Sequence, residues 1–187
     1  MDYALASFDS AAASNVVCDT VTKMTNFNGA AYMGVWYEQD HVVNQGFQLD
    51  SWTCTQAKYS NLDATGHFTV RNTSDTASFG NPFGVTGTGY CPDKSGQCFV
   101  SFFGATTTAP NYSVVETDYT SYSVVYQCDT KQYLWFLTRD NIISDALYNK
   151  MLGIAKQKLP HFDFTKLAAR DYQGPKCHYE SPTMILQ

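Results

Sequence analysis

A chain of 187 residues, 44% hydrophobic and 15% aromatic, is enough for one folded domain and too apolar to read as disordered. Twelve Lys plus Arg against seventeen Asp plus Glu leave a net charge of −5, so no basic footprint invites a phosphate backbone, and no nucleic-acid partner is expected. Apolar runs such as Leu134-Trp135-Phe136-Leu137 fall far short of the ~20 residues that cross a bilayer, so no membrane span is expected either.

Residues 1–25, rich in Ala, Ser, Thr and Asp, read as an N-terminal arm pinned by Cys18. Residues 26–140 read as a β-barrel, because short segments rich in Val, Thr, Tyr and Phe alternate with Gly, Asn, Asp and Pro clusters at hairpin intervals. Asp63-Ala64-Thr65-Gly66 and Asp93-Lys94-Ser95-Gly96 are predicted turns of such hairpins. In 133–139 both faces are largely apolar, which describes a strand covered on two sides. Residues 141–160 supply the cover: Ser144 suits an N-cap, and Leu147, Met151, Leu152, Ala155 and Leu159 recur at helical spacing until Pro160. Residues 161–187 form a polar tail tethered by Cys177. The pattern predicts an all-β fold, an antiparallel eight-stranded up-and-down barrel with one C-terminal α-helix packed outside; a β-sandwich is the alternative.

The six cysteines, at 18, 54, 91, 98, 128 and 177, include no CxxC pair and read as up to three disulfides in an oxidising compartment. Met1 to Ala13 carries Asp2 and Asp9 and lacks a basic start and an apolar core, so it does not read as a signal peptide. The cysteine count therefore favours a secreted chain whose signal has already been removed. Asn72-Thr73-Ser74 and Asn111-Tyr112-Ser113 are glycosylation sequons, of which Asn111 is the expected sugar site.

Three further motifs carry a family resemblance. Tyr32-Met33-Gly34-Val35-Trp36-Tyr37-Glu38 resembles the Gly-x-Trp signature that opens the first strand of lipocalins. Thr117-Asp118-Tyr119 entering the strand that ends at Cys128 resembles the second lipocalin motif, and Leu134 to Asp140, with Arg139 just before the helix, resembles the third. With Thr53 to Ser60 added, the sequence is similar to the branch holding apolipoprotein D, bilin-binding proteins and crustacyanins. The match covers about residues 16–178 and is poor over 72–110.

The resemblance implies that Trp36 lies across the closed end of the barrel with Arg139 against its indole, and that Gly34, Thr117, Asp118 and Tyr119 belong to the same structural floor. It also implies the pairs Cys18–Cys128 and Cys54–Cys177, each closing a long loop worth up to ~4 to 5 kcal/mol in the chain-entropy model. Cys91–Cys98 is expected only from their positions flanking one turn. Alternation anchored on the motifs predicts a ligand-binding wall of Glu38, Thr55, Ala57, Tyr59, Phe68, Val70, Asn72, Val100, Phe102, Ser123, Val125, Tyr133, Trp135 and Leu137, while Tyr122, Val124 and Tyr126 face out. Phe99 and Phe103 suit the inner face as well as Val100 and Phe102 do.

The implied function is a secreted carrier for a small hydrophobic molecule: a bilin, carotenoid, retinoid or lipid. No cofactor is required, though a bound chromophore or lipid is compatible, as is a homo-oligomer. Glu38 and Asp40 share a strand face by alternation, followed by His41, which would suit a carboxylate pair or metal site; neither catalysis nor metal is the expectation there. His67, His161 and His178 stand apart from any ligand pattern. The rival readings are a protein-interaction module using open-end loops, and a lipocalin-type isomerase or redox enzyme, for which Cys54 is the candidate thiol.

Overall fold

The computed structural model describes residues 16–75, 82–168 and 170–179; the tip of the arm and the last residues of the tail lie outside these. Eight antiparallel strands close into a barrel in chain order. They are β1 (Gly34–His41), β2 (Thr53–Ser60), β3 (His67–Asp75), β4 (Pro82–Tyr90), β5 (Gln97–Phe102), β6 (Tyr112–Thr117), β7 (Tyr122–Cys128) and β8 (Gln132–Thr138). A four-residue helix α1 (Gly29–Tyr32) precedes β1, and α2 (Asp145–Lys158) follows β8. The short α1 has no signature in the sequence beyond Asn28, whose side chain accepts from Ala31 N at 3.1 Å as its N-cap.

Both predicted hairpin turns form where Asp folds back on its own backbone. Asp63 Oδ1 accepts from Thr65 N and His67 N at 2.8 and 3.0 Å, and Asp93 Oδ1 accepts from Ser95 N at 2.9 Å. On β4, Gly89 gives up its side chain to a neighbour: a Cβ there would stand 2.1 Å from the Phe68 ring, which lies across the strand.

The two apolar faces of β8 divide the core. Leu134 and Phe136 face outward with Tyr122, Val124 and Tyr126, and pack under Met151, Ala155 and Leu159 of the α2 segment. Ser144 Oγ caps α2 by accepting from Leu147 N, as its sequence position predicts. Trp135 and Leu137 face inward with Val125, Val70 and Phe68. Val100 and Phe102 pack against this inner cluster. Phe99 instead stacks on Tyr90 in line with His67, and Phe103 stands 90% exposed.

Disulfides join Cys18 to Cys128, Cys54 to Cys177 and Cys91 to Cys98, leaving no free cysteine. The tail does more than hang from Cys177. β1 and β2 pair from Gly34↔Tyr59 to Tyr37↔Gln56, and beyond that point residues 166–168 and 171–173 bond into the seam between them. Val43 N and Ala168 N bond to Lys166 O and His41 O, Asp171 N bonds to Gln39 O, and Cys54 N bonds to Tyr172 O, all within 3.1 Å. Gln173 then donates its side-chain amide to the carbonyls of both strands, Glu38 O at 2.9 Å and Thr55 O at 2.8 Å.

One expectation is overturned here. Glu38 and Asp40 do not share a face, because a bulge between them shifts the register: Glu38 pairs with inward Leu137, and Asp40 pairs with outward Phe136. Asp40 consequently meets the helix, accepting from Tyr148 Oη at 2.5 Å, and the carboxylate pair does not exist.

Candidate functional site

The floor of the barrel is built from the three motifs. Gly34, at φ +101°, opens β1 against the guanidinium of Arg139, which lies 3.7 Å over the fully buried Trp36 ring. That guanidinium donates to the carbonyls of Ala31, Tyr32, Met33, Val35 and Tyr119, and Trp36 Nε1 donates to Tyr32 O at 2.9 Å. Five acceptors surround this half-buried charge and replace the water it loses. Thr117 Oγ1 donates to Tyr122 O, and Asp118 Oδ1 accepts from Thr120, Ser121 and Tyr122 N, holding the turn whose Tyr119 carbonyl receives Arg139.

Residues opposite each other in antiparallel strands point the same way, so the register places the wall. Ala57 pairs with Asn72, and Tyr59 with Val70. Ser123 and Val125 pair with Leu137 and Trp135. Thr55 reaches Ser74 inside, Oγ to Oγ at 3.0 Å, and Tyr133 stacks on Trp135 at 5.9 Å. The deeper part holds a chain of hydroxyls that the sequence did not single out, since its members come from four elements. Tyr59 donates to Tyr112, Tyr112 meets Tyr32 at 2.8 Å, and Tyr32 meets Ser123 at 2.9 Å. Burial pushes the Tyr32 phenol up to about 12 and raises Tyr59 and Tyr112 further. A cleft of about 250 Å³ opens beneath this cluster, between the Phe27–Met33 segment and the two Asp turns; of the expected wall, Tyr59 and Phe68 line it.

The open end carries the polar residues. Glu38, His41, Gln45 and Gln48 are all buried there, and the β1–β2 connection folds Phe47 onto Tyr133 and Trp135. Glu38 Oε1 accepts from Gln48 Nε2 at 2.6 Å and faces His41 Nδ1 at 2.8 Å. Burial opposes a charged His41, but the bond to Glu38 and its charge outweigh it and raise the ring above its usual range. Asp171, behind the seam, is raised to about 7 by burial and by the charge of Glu38, and accepts from Thr55 N at 3.1 Å. His41 Nε2, both amide atoms of Gln45 and Asn72 Oδ1 are buried with no hydrogen-bond partner among the described residues.

No group of three or more His, Cys, Asp and Glu side chains among the described residues could hold a metal ion. Cys54 is bonded to Cys177, and Cys91 to Cys98, so neither offers a thiol or half a zinc site. His67, His161 and His178 each sit beside one aspartate, Asp63, Asp19 and Asp75. Asn111, the expected sugar site, uses both amide atoms on Val100, accepting from its N at 2.7 Å and donating to its O at 2.9 Å. A glycan there would have to ride on an amide already committed to the sheet.

The Lipocalin-like domain model matches residues 28–171. Rat apolipoprotein D is 30% identical over 127 residues, 67% of this chain and 63% of the relative, so the chain matches less than two thirds of that relative's length. The outer membrane lipoprotein Blc of Citrobacter freundii is 30% identical over 167 residues, 79% of this chain and 80% of the relative. Among solved structures, lobster apocrustacyanin A1 superposes with a TM-score of 0.67 at 22% identity, covering 88% of this chain and 95% of that one. Insecticyanin from Manduca sexta gives 0.70 at 22% identity, covering 87% and 90%. The family match, spanning the floor and the barrel wall, shows that the chain belongs to the lipocalin family.

Proposed function

We propose that this lipocalin carries a small hydrophobic molecule inside its barrel, without chemical reaction, in an oxidising extracellular setting. One observation carries the reading: an apolar inner wall on which Asn72 Oδ1 and His41 Nε2 are buried without partners, as is the Gln45 amide of the β1–β2 connection. A solely structural core would pair such groups or omit them, since each unpaired one costs about 1 to 3 kcal/mol. A ligand entering from the open end would satisfy them while burying apolar area at about 25 cal/mol per Å², before ordering costs. The stacked Tyr133 and Trp135, with Phe47 tilted against them, suit a flat conjugated molecule such as a bilin, carotenoid or retinoid. Three disulfides suit secretion.

The test is native mass spectrometry and absorption of the disulfide-bonded protein after incubation with biliverdin, a carotenoid, retinol and a fatty acid in turn. A stoichiometric adduct with any of them supports the carrier. A second reading, loops that bind another protein, draws on Phe47, Leu49, Phe83 and Phe103, exposed on open-end segments. Absence of every adduct would favour it.

A further inference from the structure

We infer that the barrel selects neutral ligands bearing a hydroxyl or similar uncharged head over the corresponding carboxylates. The inference rests on the carrier reading and specifies what the same cavity takes. Among the described strands, the ionisable side chains other than tyrosine that the register turns inward are Glu38, opposite Leu137, and His41, opposite Trp135. They face each other at 2.8 Å, so the imidazolium is already neutralised by the protein's own carboxylate. Asp171 adds a second buried carboxyl behind the same wall.

No cation is left for a ligand's carboxylate within the barrel. All twelve Lys and Arg residues belong to the described chain. Lys58 and Arg71 pair with each other between inward neighbours and so lie on the outer face, and Arg139 is spent on the floor's carbonyls. Lys150, Lys156 and Lys158 ride on α2 outside the barrel, and the others lie in the arm, the turns and the tail. Lys131 lies at the open end, in the exposed β7–β8 turn, where it can meet a head group in water but not one drawn inside. A buried carboxylate without a counter-charge is expelled.

Of the unpartnered atoms, His41 Nε2 can serve either head, and the amides distinguish them. Asn72 Oδ1 needs a donor, and Gln45 offers both an acceptor and a donor. A ligand hydroxyl can give its proton to Asn72 Oδ1 or to Gln45 Oε1. An ionised carboxylate can only accept, so it would leave Asn72 Oδ1 unpaired and face Glu38 as a like charge.

The experiment compares molecules that differ only in the head: all-trans retinol against retinoate, and hexadecanol against hexadecanoate, titrated into the unmodified disulfide-bonded protein at about pH 8, where the acids are ionised. The expected result is that each alcohol binds at least about tenfold more tightly than its acid, and that Glu38→Gln narrows the ratio. Equal or tighter binding of the carboxylates to the unmodified protein would overturn the inference while leaving the carrier reading intact. If neither member of either pair binds, the selectivity falls, and the carrier reading falls with it unless biliverdin or the carotenoid forms an adduct. The ratio on the unmodified protein decides the matter even if Glu38→Gln fails to fold.

Discussion

Glu38 and His41 face each other at 2.8 Å on one strand, three residues apart, because the bulge between Glu38 and Asp40 turns both inward. The same bulge sends Asp40 to the helix side. A single irregularity thus separates two carboxylates and creates a buried ion pair where plain alternation would have aligned Glu38 with Asp40.

These groups set a pH dependence of stability. His41 is raised above 6.5, Asp40 is raised from 3.8 to about 6 and Asp171 from 3.8 to about 7, so each holds its proton more tightly in the fold than in the unfolded chain. Their contribution is present in full at low pH and is lost as pH rises, between 3.8 and about 7 for the aspartates and above 6.5 for His41. Glu116 and Asp118, held low by their hydrogen bonds against the opposing effect of burial, act in the reverse sense only at more acid pH. The thermal midpoint is expected to be higher at about pH 5.5 than at about pH 8, and Asp171→Asn should flatten the difference. Scanning fluorimetry across that range checks this; a midpoint that rises toward pH 8 would refute it.

Trp36 is fully buried beneath Arg139. Trp36→Ala should cost about 3 to 5 kcal/mol through the cavity it leaves, whatever the ligand state. Arg139→Lys should cost about 2 to 4 kcal/mol, because a lysine cannot reach five carbonyls from one planar group. Urea unfolding measures both, and an unchanged midpoint for Trp36→Ala would undo the floor assignment.

Trp135, partly exposed and stacked on Tyr133, should behave differently. Trp135→Ala is expected to weaken retinol binding by about tenfold or more while shifting the unfolding midpoint less than Trp36→Ala does. Fluorescence titration beside thermal unfolding separates the effects. Equal affinity would remove that side chain from the ligand site.

Gln173 bridges the carbonyls of Glu38 and Thr55 where β1 and β2 have parted. Gln173→Leu should destabilise by about 1 to 3 kcal/mol and accelerate amide exchange at Cys54 and Asp171, whose N–H groups bond across the seam. Exchange rates equal to those of the parent protein would mean that Cys177 alone holds the tail in place.

What could be read in advance divides by range of interaction. The barrel, its turns and α2 follow from local signals: period-2 alternation at Tyr133 to Arg139, Asp at 63 and 93, and the apolar stripe from Leu147 to Leu159. The floor was legible because Gly34, Trp36, Thr117, Asp118 and Arg139 stand in recognisable motifs. The bulge after Glu38 was not, since nothing in Glu-Gln-Asp-His marks an extra residue, and it decides the fate of His41. Asp171, Gln173, Tyr32 and Tyr112 enter the site from the tail, α1 and a strand start, so only the closed barrel brings them together.

Methyl-resolved NMR of the disulfide-bonded protein, with and without retinol, would show whether the ligand lies within the barrel. Shifts are expected at Val70, Val100, Val125 and Leu137, which face inward, and none at Val124, Leu134 or Leu159, which pack between the barrel and the helix. Shifts confined to the outer set or to the open-end loops would contradict a ligand within the barrel.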